Sequence, residues 1–459
     1  MSLSFLLATI IVLLCIDVVS CNDEDEADIL SVKLLSGVEL PLVGMGIGNL
    51  PHENIHNVVN NQLGSGVKLI DTARASNNEK ILAEAIASFA KNAHSSNTRG
   101  GGGVDESPDI IHVITKVWYT HLGYERTKIS VQESLRDLQS STSVQIYVHM
   151  LIHWPRCNDA IEWMNCEEEE KNLPQYVKDA GPPPHRNKGT ALFDSWKALE
   201  DIFMEHEKIM IESQKSKKVM TPIIASIGVS NFELVDIKQL ARKAKIVPHI
   251  YQGNSWMVFH DPYMMDFLDK NNIQFQSYAV MNGILGRRNE APHAYHILSD
   301  ISSELAATVY SEKKDVVVTE ATVLLAYFVH ANVGVIPRAA SPAHQQENSP
   351  QSIAAILPHL TPTHIQQLEL AIPAMMKGED IHTAVSFTNA LNRPIQIHWV
   401  NQETNEEVLV SNIINPGGVE VQRSHPGHMF VAYDPNREVR KEFKVEAQYG
   451  ETQDFKVEL

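Results

Sequence analysis

The stretch Ile70-Asp71-Thr72-Ala73-Arg74-Ala75-Ser76-Asn77-Asn78-Glu79 decides the fold. An apolar, strand-like run, Val67 to Ile70, leads into it, and a helical pattern, Glu79 to Phe89, leads out. Such a strand-to-helix boundary is where α/β proteins keep their catalytic groups, because loops at the strand ends carry polar side chains on a rigid base. Asp71 stands at that boundary.

Outward from Asp71 the same alternation repeats. Val32 to Pro41 reads as a lid-like hairpin around Ser36-Gly37, and Leu42 to Gly48 as a buried strand ending in glycines. Lys68 to Asp71, Ile110 to Lys116, Ile146 to His153, Ile223 to Ser230, Ile250 to Gln252, Gln274 to Tyr278 and Val333 to Pro337 follow as strands. Helical patterns separate most of them, including Thr127 to Leu138, Leu192 to Phe203 and Leu234 to Ala244. Eight strands alternating with helices predict an α/β fold, a (β/α)8 TIM barrel over about residues 32–373. In a barrel the polar residue at each strand's C-terminal end faces one common mouth. Asp71, Lys116, His153, Ser230, Asn231, Gln252 and Tyr278 all hold such ends.

The 459 residues are 43% hydrophobic and 20% charged, enough for more than one domain. A net charge of -18 argues against nucleic acid and anionic membrane surfaces as partners. Met1 to Cys21 is apolar from Leu3 to Ile16, too short a run to span a bilayer, with small residues at Val18 and Ser20. It reads as a cleaved secretory signal, residues 1–21, with a membrane anchor as the alternative because no Lys or Arg precedes the apolar run. The expected location is the secretory pathway, secreted or in the ER lumen. The tail Lys456-Val457-Glu458-Leu459 is a weak variant of an ER-retrieval signal. Cys15 would leave with the signal; Cys157 and Cys166, close together in one loop, are either a local disulfide or two free thiols. No set of metal ligands is read from the sequence.

Three segments read as solvated insertions: His94 to Pro108, Arg156 to Asn187 with its acidic run Glu167 to Glu170, and the Lys-rich Glu205 to Thr221. From about His382 the period changes. Ala384 to Thr388, Ile395 to Val400, Val408 to Ile414, Val419 to Arg423 and Met429 to Tyr433 lie at strand spacing, with turn signals such as Asn415-Pro416-Gly417-Gly418 between them. With no helix intervening, a small all-β sandwich is expected over residues 380–459.

The barrel resembles the aldo-keto reductase family. The matches are Gly44-Met45-Gly46, Asp71 with Asn78-Glu79, Lys116-Val117-Trp118, Leu151 to Pro155, Gly228 to Phe232, Gln252, Tyr278 and Ile336-Pro337-Arg338. The resemblance implies NAD(P)H-dependent reduction of small aldehydes or ketones, with NADP or NAD as cofactor. In that family a Tyr protonates the carbonyl oxygen while a Lys, held by an Asp, lowers its pKa and a His orients the substrate. Asp71, Lys116 and His153 match three of the four. The Tyr position holds Ser76, a far shorter side chain whose hydroxyl lies well above a phenol in pKa. Gly46, Ser230, Asn231 and Gln252, with Tyr278 stacking, match the nicotinamide site. Arg338, Glu347 and Asn348 match the adenosine-phosphate site, where His344 replaces the Arg expected for a 2′-phosphate. Without the Tyr, His153 or Lys116 is the remaining proton donor. Each residue also has a structural reading: Asp71 and Lys116 as a buried ion pair, His153 as a satisfied core histidine.

Residues Ala384 to Tyr433 resemble the β domain of the von Hippel-Lindau protein, through Phe387-x-Asn389, Trp399, Pro416-Gly417, Ser424 and Gly427-His428 followed by Phe430. That resemblance implies a hydroxyproline-peptide pocket at Trp399, Ser424, His428 and Phe430, with Ser411 at a Tyr position. Trp399 and Phe430 read equally well as sandwich core. Two functions therefore stand open: a reductase weakened at Ser76, or a catalytically silent barrel that senses cofactor or scaffolds a protein partner.

Overall fold

The computed structural model describes residues 30–97, 109–139, 144–158, 160–186, 189–216, 222–434, 436 and 439–458. The expected signal segment, with Cys15 and Cys21, and most of the His94 to Pro108 insertion lie outside these residues.

A two-stranded hairpin, β1 (Ser31–Lys33) with β2 (Glu39–Pro41), precedes the barrel. The barrel strands are β3 (Gly44–Gly46), β4 (Leu69–Asp71), β5 (Ile110–Val117), β6 (Gln145–Ile152), β7 (Ile223–Ser230), β8 (Ile250–Asn254), β9 (Gln274–Tyr278) and β10 (Gly334–Val335). Each pairs in parallel with the next. The ring closes where Val43 bridges Val335 and the Val335 amide donates to Leu42 at 2.7 Å. Strands β6 and β7 are buried along their whole lengths, which explains their mostly apolar runs: helices cover one face and the barrel interior the other. The expected (β/α)8 barrel is thus present. β3 and β10 are shorter than their apolar runs; beyond their C-terminal ends Gly48, Ile336 and Pro337 line the mouth.

One insertion was misread. Glu205 to Ser216 is not a loop but the second half of a 26-residue helix, Ala191–Ser216. Phe203 and Met210, seven residues apart, form its sparse buried stripe; Met210 packs with Val38, Tyr147, Ile223 and Ala225, while His206 Nδ1 accepts the Ile224 amide at 3.1 Å. The Arg156 to Asn187 segment carries two short helices, Cys166–Asn172 and Gln175–Asp179.

The C-terminal part is the expected small all-β unit. A three-stranded sheet orders β14 (Val419–Ser424), β11 (Thr383–Asn389) and β17 (Thr452–Val457); a four-stranded sheet orders β13 (Glu407–Ile414), β12 (Ile395–Val400), β15 (Met429–Tyr433) and β16 (Arg440–Lys444). Phe387, Phe430 and Phe443 form its buried centre, with Phe455 against them. β16 and β17 were not read from sequence. Each offers few inward apolar residues, Phe443 or Phe455 with Val457, among charged neighbours that suit an edge position.

Candidate active site

The C-terminal ends of the barrel strands open into a cleft of about 690 Å³, a volume that suits a small organic ligand. Asp71, at the end of β4, organises its floor. Lys116 Nζ, at the end of β5, donates to Asp71 Oδ1 at 2.6 Å and to the Thr72 carbonyl at 2.7 Å. Gln252 Nε2 reaches the same Oδ1 at 2.8 Å and also Gln276 Oε1 at 2.8 Å. Lys116 is only 4% exposed, so this ion pair sits in a low-dielectric floor where either partner alone would be costly.

The Asn78-Glu79 pair that follows Asp71 anchors the loop rather than facing a ligand. Asn78 accepts from Thr72 Oγ1 at 2.5 Å and donates to the Ile47 carbonyl at 3.2 Å. Glu79 accepts from Thr115 Oγ1 at 2.6 Å and from Arg74 at 2.8 Å, and Arg74 also binds Glu133 and Asp137. These bonds fix the short turn Arg74–Ser76, which ends on Asn77 with φ +48°, and they set Ser76 in the cleft wall. Thr72, Arg74 and Thr115 were missed in the sequence. Thr115 meets Glu79 from 36 residues away, and Arg74 meets Glu133 and Asp137 from 59 and 63 residues away. Thr72 and Asn78, six apart, carry no sequence signal of their bond.

His153 follows β6 and also lines the cleft, its ring edge-on to Trp118 at 4.9 Å. Burial strips water from the imidazolium and the Lys116 ammonium repels it, so its pKa falls well below 6.5. Its Nδ1 is buried without a hydrogen-bond partner among the described residues. The expectation that His153 hands over a proton near neutrality is therefore corrected: the ring is neutral there.

Beyond Lys116, the Ser230–Asn231–Tyr278 group is linked. Asn231, at φ +58°, donates to the His153 carbonyl at 3.0 Å and to Ser230 Oγ at 3.1 Å, and accepts from the Tyr278 hydroxyl at 2.6 Å. Gly46 and Arg338 also line the cleft; Arg338 is exposed and pairs with no carboxylate among the described residues. Glu347 and Asn348 do not line it. Glu347 is held by His344 Nδ1 at 2.7 Å, and Asn348 is buried at the end of the helix Pro342–Glu347.

The opposite wall is aromatic, and sequence reasoning missed part of it. The Trp163 ring lies 6.1 Å from Trp118 and 5.6 Å from Trp154 between centroids. Trp163 sits inside the loop closed by the Cys157–Cys166 disulfide, so the disulfide reading of these two cysteines holds. The acidic run beside it is not simply solvated: Glu169 accepts from Trp118 Nε1 at 2.7 Å and from the Tyr119 hydroxyl, and Glu170 takes a two-pronged bond from Arg126 at 2.8 and 2.9 Å. Two cysteines bracketing a tryptophan just after a strand end was the available signal.

In the β unit, Ser424 Oγ lies 3.2 Å from His428 Nδ1, and the His428 ring is 5.4 Å from Trp399. Phe430, 2% exposed, packs on Phe387 in the core, so of its two readings the structure takes core rather than pocket wall. Ser411 is buried opposite Ile397. His425 stacks at 3.9 Å on His293 of the barrel helix Pro292–Glu312.

Comparison with known proteins places the barrel. The chain is 25% identical over 319 residues to the NAD(P)H-dependent D-xylose reductase I,II of Candida tropicalis, covering 69% of this chain and 86% of that protein. It is 25% identical over 324 residues to a D-galacturonate reductase of Hypocrea jecorina, covering 69% and 84%. The solved aldose reductase of Schistosoma japonicum superposes with a TM-score of 0.50 at 19% identity, over 76% of this chain and 96% of that one, a likeness of fold. The model of the aldo/keto reductase family matches residues 43–369, most of the chain, and by that match this protein belongs to the aldo/keto reductase family.

Proposed function

We propose that the barrel is a reductase of small aldehydes or ketones using NADPH or NADH, slowed at its proton-transfer step by Ser76. The observation that carries this reading is the convergence of the Asp71–Lys116 pair and the Ser230–Asn231–Tyr278 group on one cleft. The relatives named above are reductases, which supports it. The donor set suits a nicotinamide: Ser230, Asn231 and the Gln252 carbonyl offer partners to a carboxamide, and Tyr278 offers a ring face. Arg338, free of any acid among the described residues, suits a phosphate. A bound reduced nicotinamide supplies hydride. Lys116, fixed by Asp71, stabilises the oxygen that gains charge, while the aromatic wall excludes water. Ser76→Tyr tests the reading. A general acid contributes about 10²–10⁴-fold in rate, so the variant should reduce a small aldehyde faster by an amount in that range. A variant that binds dinucleotide yet gains nothing would favour the silent barrel, which the neutral His153 and Ser76 together make the second reading.

For the C-terminal unit we infer a peptide-binding role resembling that of the von Hippel-Lindau β domain, on the cluster Trp399, Ser424 and His428, in a protein of the secretory pathway. The local disulfide is in keeping with an oxidising compartment. A hydroxyproline-containing peptide should bind the full chain, and Trp399→Ala should remove the binding. Equal binding by chain and variant would leave the unit an accessory fold.

A further inference from the structure

A carbonyl undergoing reduction gains negative charge on oxygen and needs a proton. Among the described residues, Ser76, Tyr278 and His153 in the cleft are each ill suited to give it near neutrality. Ser76 carries only an alkanol. The Tyr278 hydroxyl donates to Asn231 at 2.6 Å, and burial pushes that phenol up. His153 is buried and neutral. Lys116 remains. An ammonium offers three N–H donors; two are used, on Asp71 Oδ1 at 2.6 Å and the Thr72 carbonyl at 2.7 Å. The third has no acceptor among the described residues, although the side chain is 96% buried and lines the cleft. A buried donor left open toward a cavity calls for an acceptor on the ligand.

The second observation is the aromatic wall. Trp118 already donates its Nε1–H to Glu169, so toward the cleft it offers a ring surface rather than a donor. Trp163, 56% exposed on the disulfide-closed loop, lies against both Trp118 and Trp154, and all three line the cleft. Such a wall suits a flat ring.

We propose that the cleft takes aromatic ketones or aldehydes bearing a hydroxyl group ortho to the carbonyl, with that hydroxyl oxygen accepting from Lys116 Nζ and its proton serving the carbonyl oxygen. The proposal rests on the reductase reading. The carbonyl carbon gains a C–H bond from the hydride of a reduced nicotinamide dinucleotide, which is thereby oxidised. The C=O π electrons move to oxygen, the ortho O–H bond breaks, and its proton forms the new alcohol O–H. The phenolate left beside Lys116 regains a proton from water. An ortho hydroxyl already points at the carbonyl oxygen through a six-membered hydrogen-bonded ring, so the substrate occupies the chemical role that Ser76 cannot fill.

The test compares 2′-hydroxyacetophenone with 3′-hydroxyacetophenone on the full chain. Ketones are used because an aldehyde would readily form an imine with lysine. Without dinucleotide, ultraviolet absorbance of each bound ketone is followed as pH rises. Asp71, His153, Tyr278 and Arg338 are the titratable side chains that share the cleft with Lys116 among the described residues, and the comparison of two isomers of one ketone holds them constant. The bound ortho isomer should ionise at least 10-fold more readily than it does free, the meta isomer should not, and Lys116→Met should erase the difference. Because Lys116→Met strands the Asp71 carboxylate and can unfold the chain, Ser76→Tyr gives a second reading. With reduced dinucleotide present, the ortho-to-meta ratio of kcat/KM should be at least 10 in the parent and fall toward 1 in the variant. Equal ionisation of the two isomers on the protein, or no binding of either, overturns the proposal. A chain that binds no dinucleotide sinks the reductase reading, whereas the ionisation result still decides the ligand assignment.

Discussion

Asp71 shows what a single residue does here. One carboxylate oxygen accepts from Lys116 and from Gln252, tying β4, β5 and β8 together at the floor of the cleft. The Asp71–Lys116 pair was legible in the sequence, because both residues stand at strand ends; the Gln252 bond to Asp71 was not, since the family resemblance assigns Gln252 to the nicotinamide carboxamide. Nor was the protonation state of His153. Sequence supplies only an unperturbed imidazole near 6.5, whereas burial and a neighbouring ammonium act in three dimensions. The sign follows directly. A histidine held well below 6.5 is already neutral at pH 6, so it loses no proton between pH 6 and 8. The pH profile of carbonyl reduction should therefore show no His153 step across that range. A decline centred near pH 6.5 that vanishes in His153→Ala would contradict this placement.

At the scale of elements, strand order and strand-end polarity were readable, since β5 to β7 are mostly apolar runs bounded by turns. The helix Ala191–Ser216 and the loop Arg156 to Asn187 were less so. Charged sequence looks solvated until its partners are known, and those of Glu169 and Glu170 lie 44 to 51 residues earlier in the chain. The barrel strands also bury histidines of no catalytic use. His112 on β5 contacts His149 on β6 at 3.0 Å, and His149 contacts Ser226 on β7 at 2.7 Å; His249, just before β8, accepts the Ile227 amide. Burial pushes His112 and His249 down to about 4, and His149 well below its usual value. A depressed histidine pKa means that the unfolded chain binds more protons below 6.5. Its contribution is complete above about pH 6.5 and is lost as pH falls toward 4. Going from pH 7.5 to pH 5.0 should cost about 2 kcal/mol for each of His112 and His249. Urea unfolding at the two pH values checks this, and a midpoint that does not fall at pH 5.0 would show that these rings are not buried neutral.

For the whole molecule, a barrel of the aldo/keto reductase family is joined to a β unit through contacts that include the stacked His293 and His425 and the bond of His293 Nδ1 to Asp380 at 2.6 Å. The division into barrel and sandwich was visible as a change of period near His382, but the junction was not, because it joins residues far apart in sequence. The central claim is that the cleft keeps a dinucleotide site while its acid is gone. Arg338 and the nicotinamide group should retain binding, and His344, occupied by Glu347, should weaken the preference for a 2′-phosphate. Losing one charge-assisted contact costs about 1.5–3 kcal/mol, which would remove roughly 10- to 100-fold of NADPH selectivity. The most direct measurement is quenching of tryptophan fluorescence in the full chain by NADPH and by NADH, with Trp118 and Trp154 in the cleft wall as reporters. Saturable binding of both, with affinities within about 10-fold of each other, is the predicted result; no binding of either dinucleotide would contradict the account.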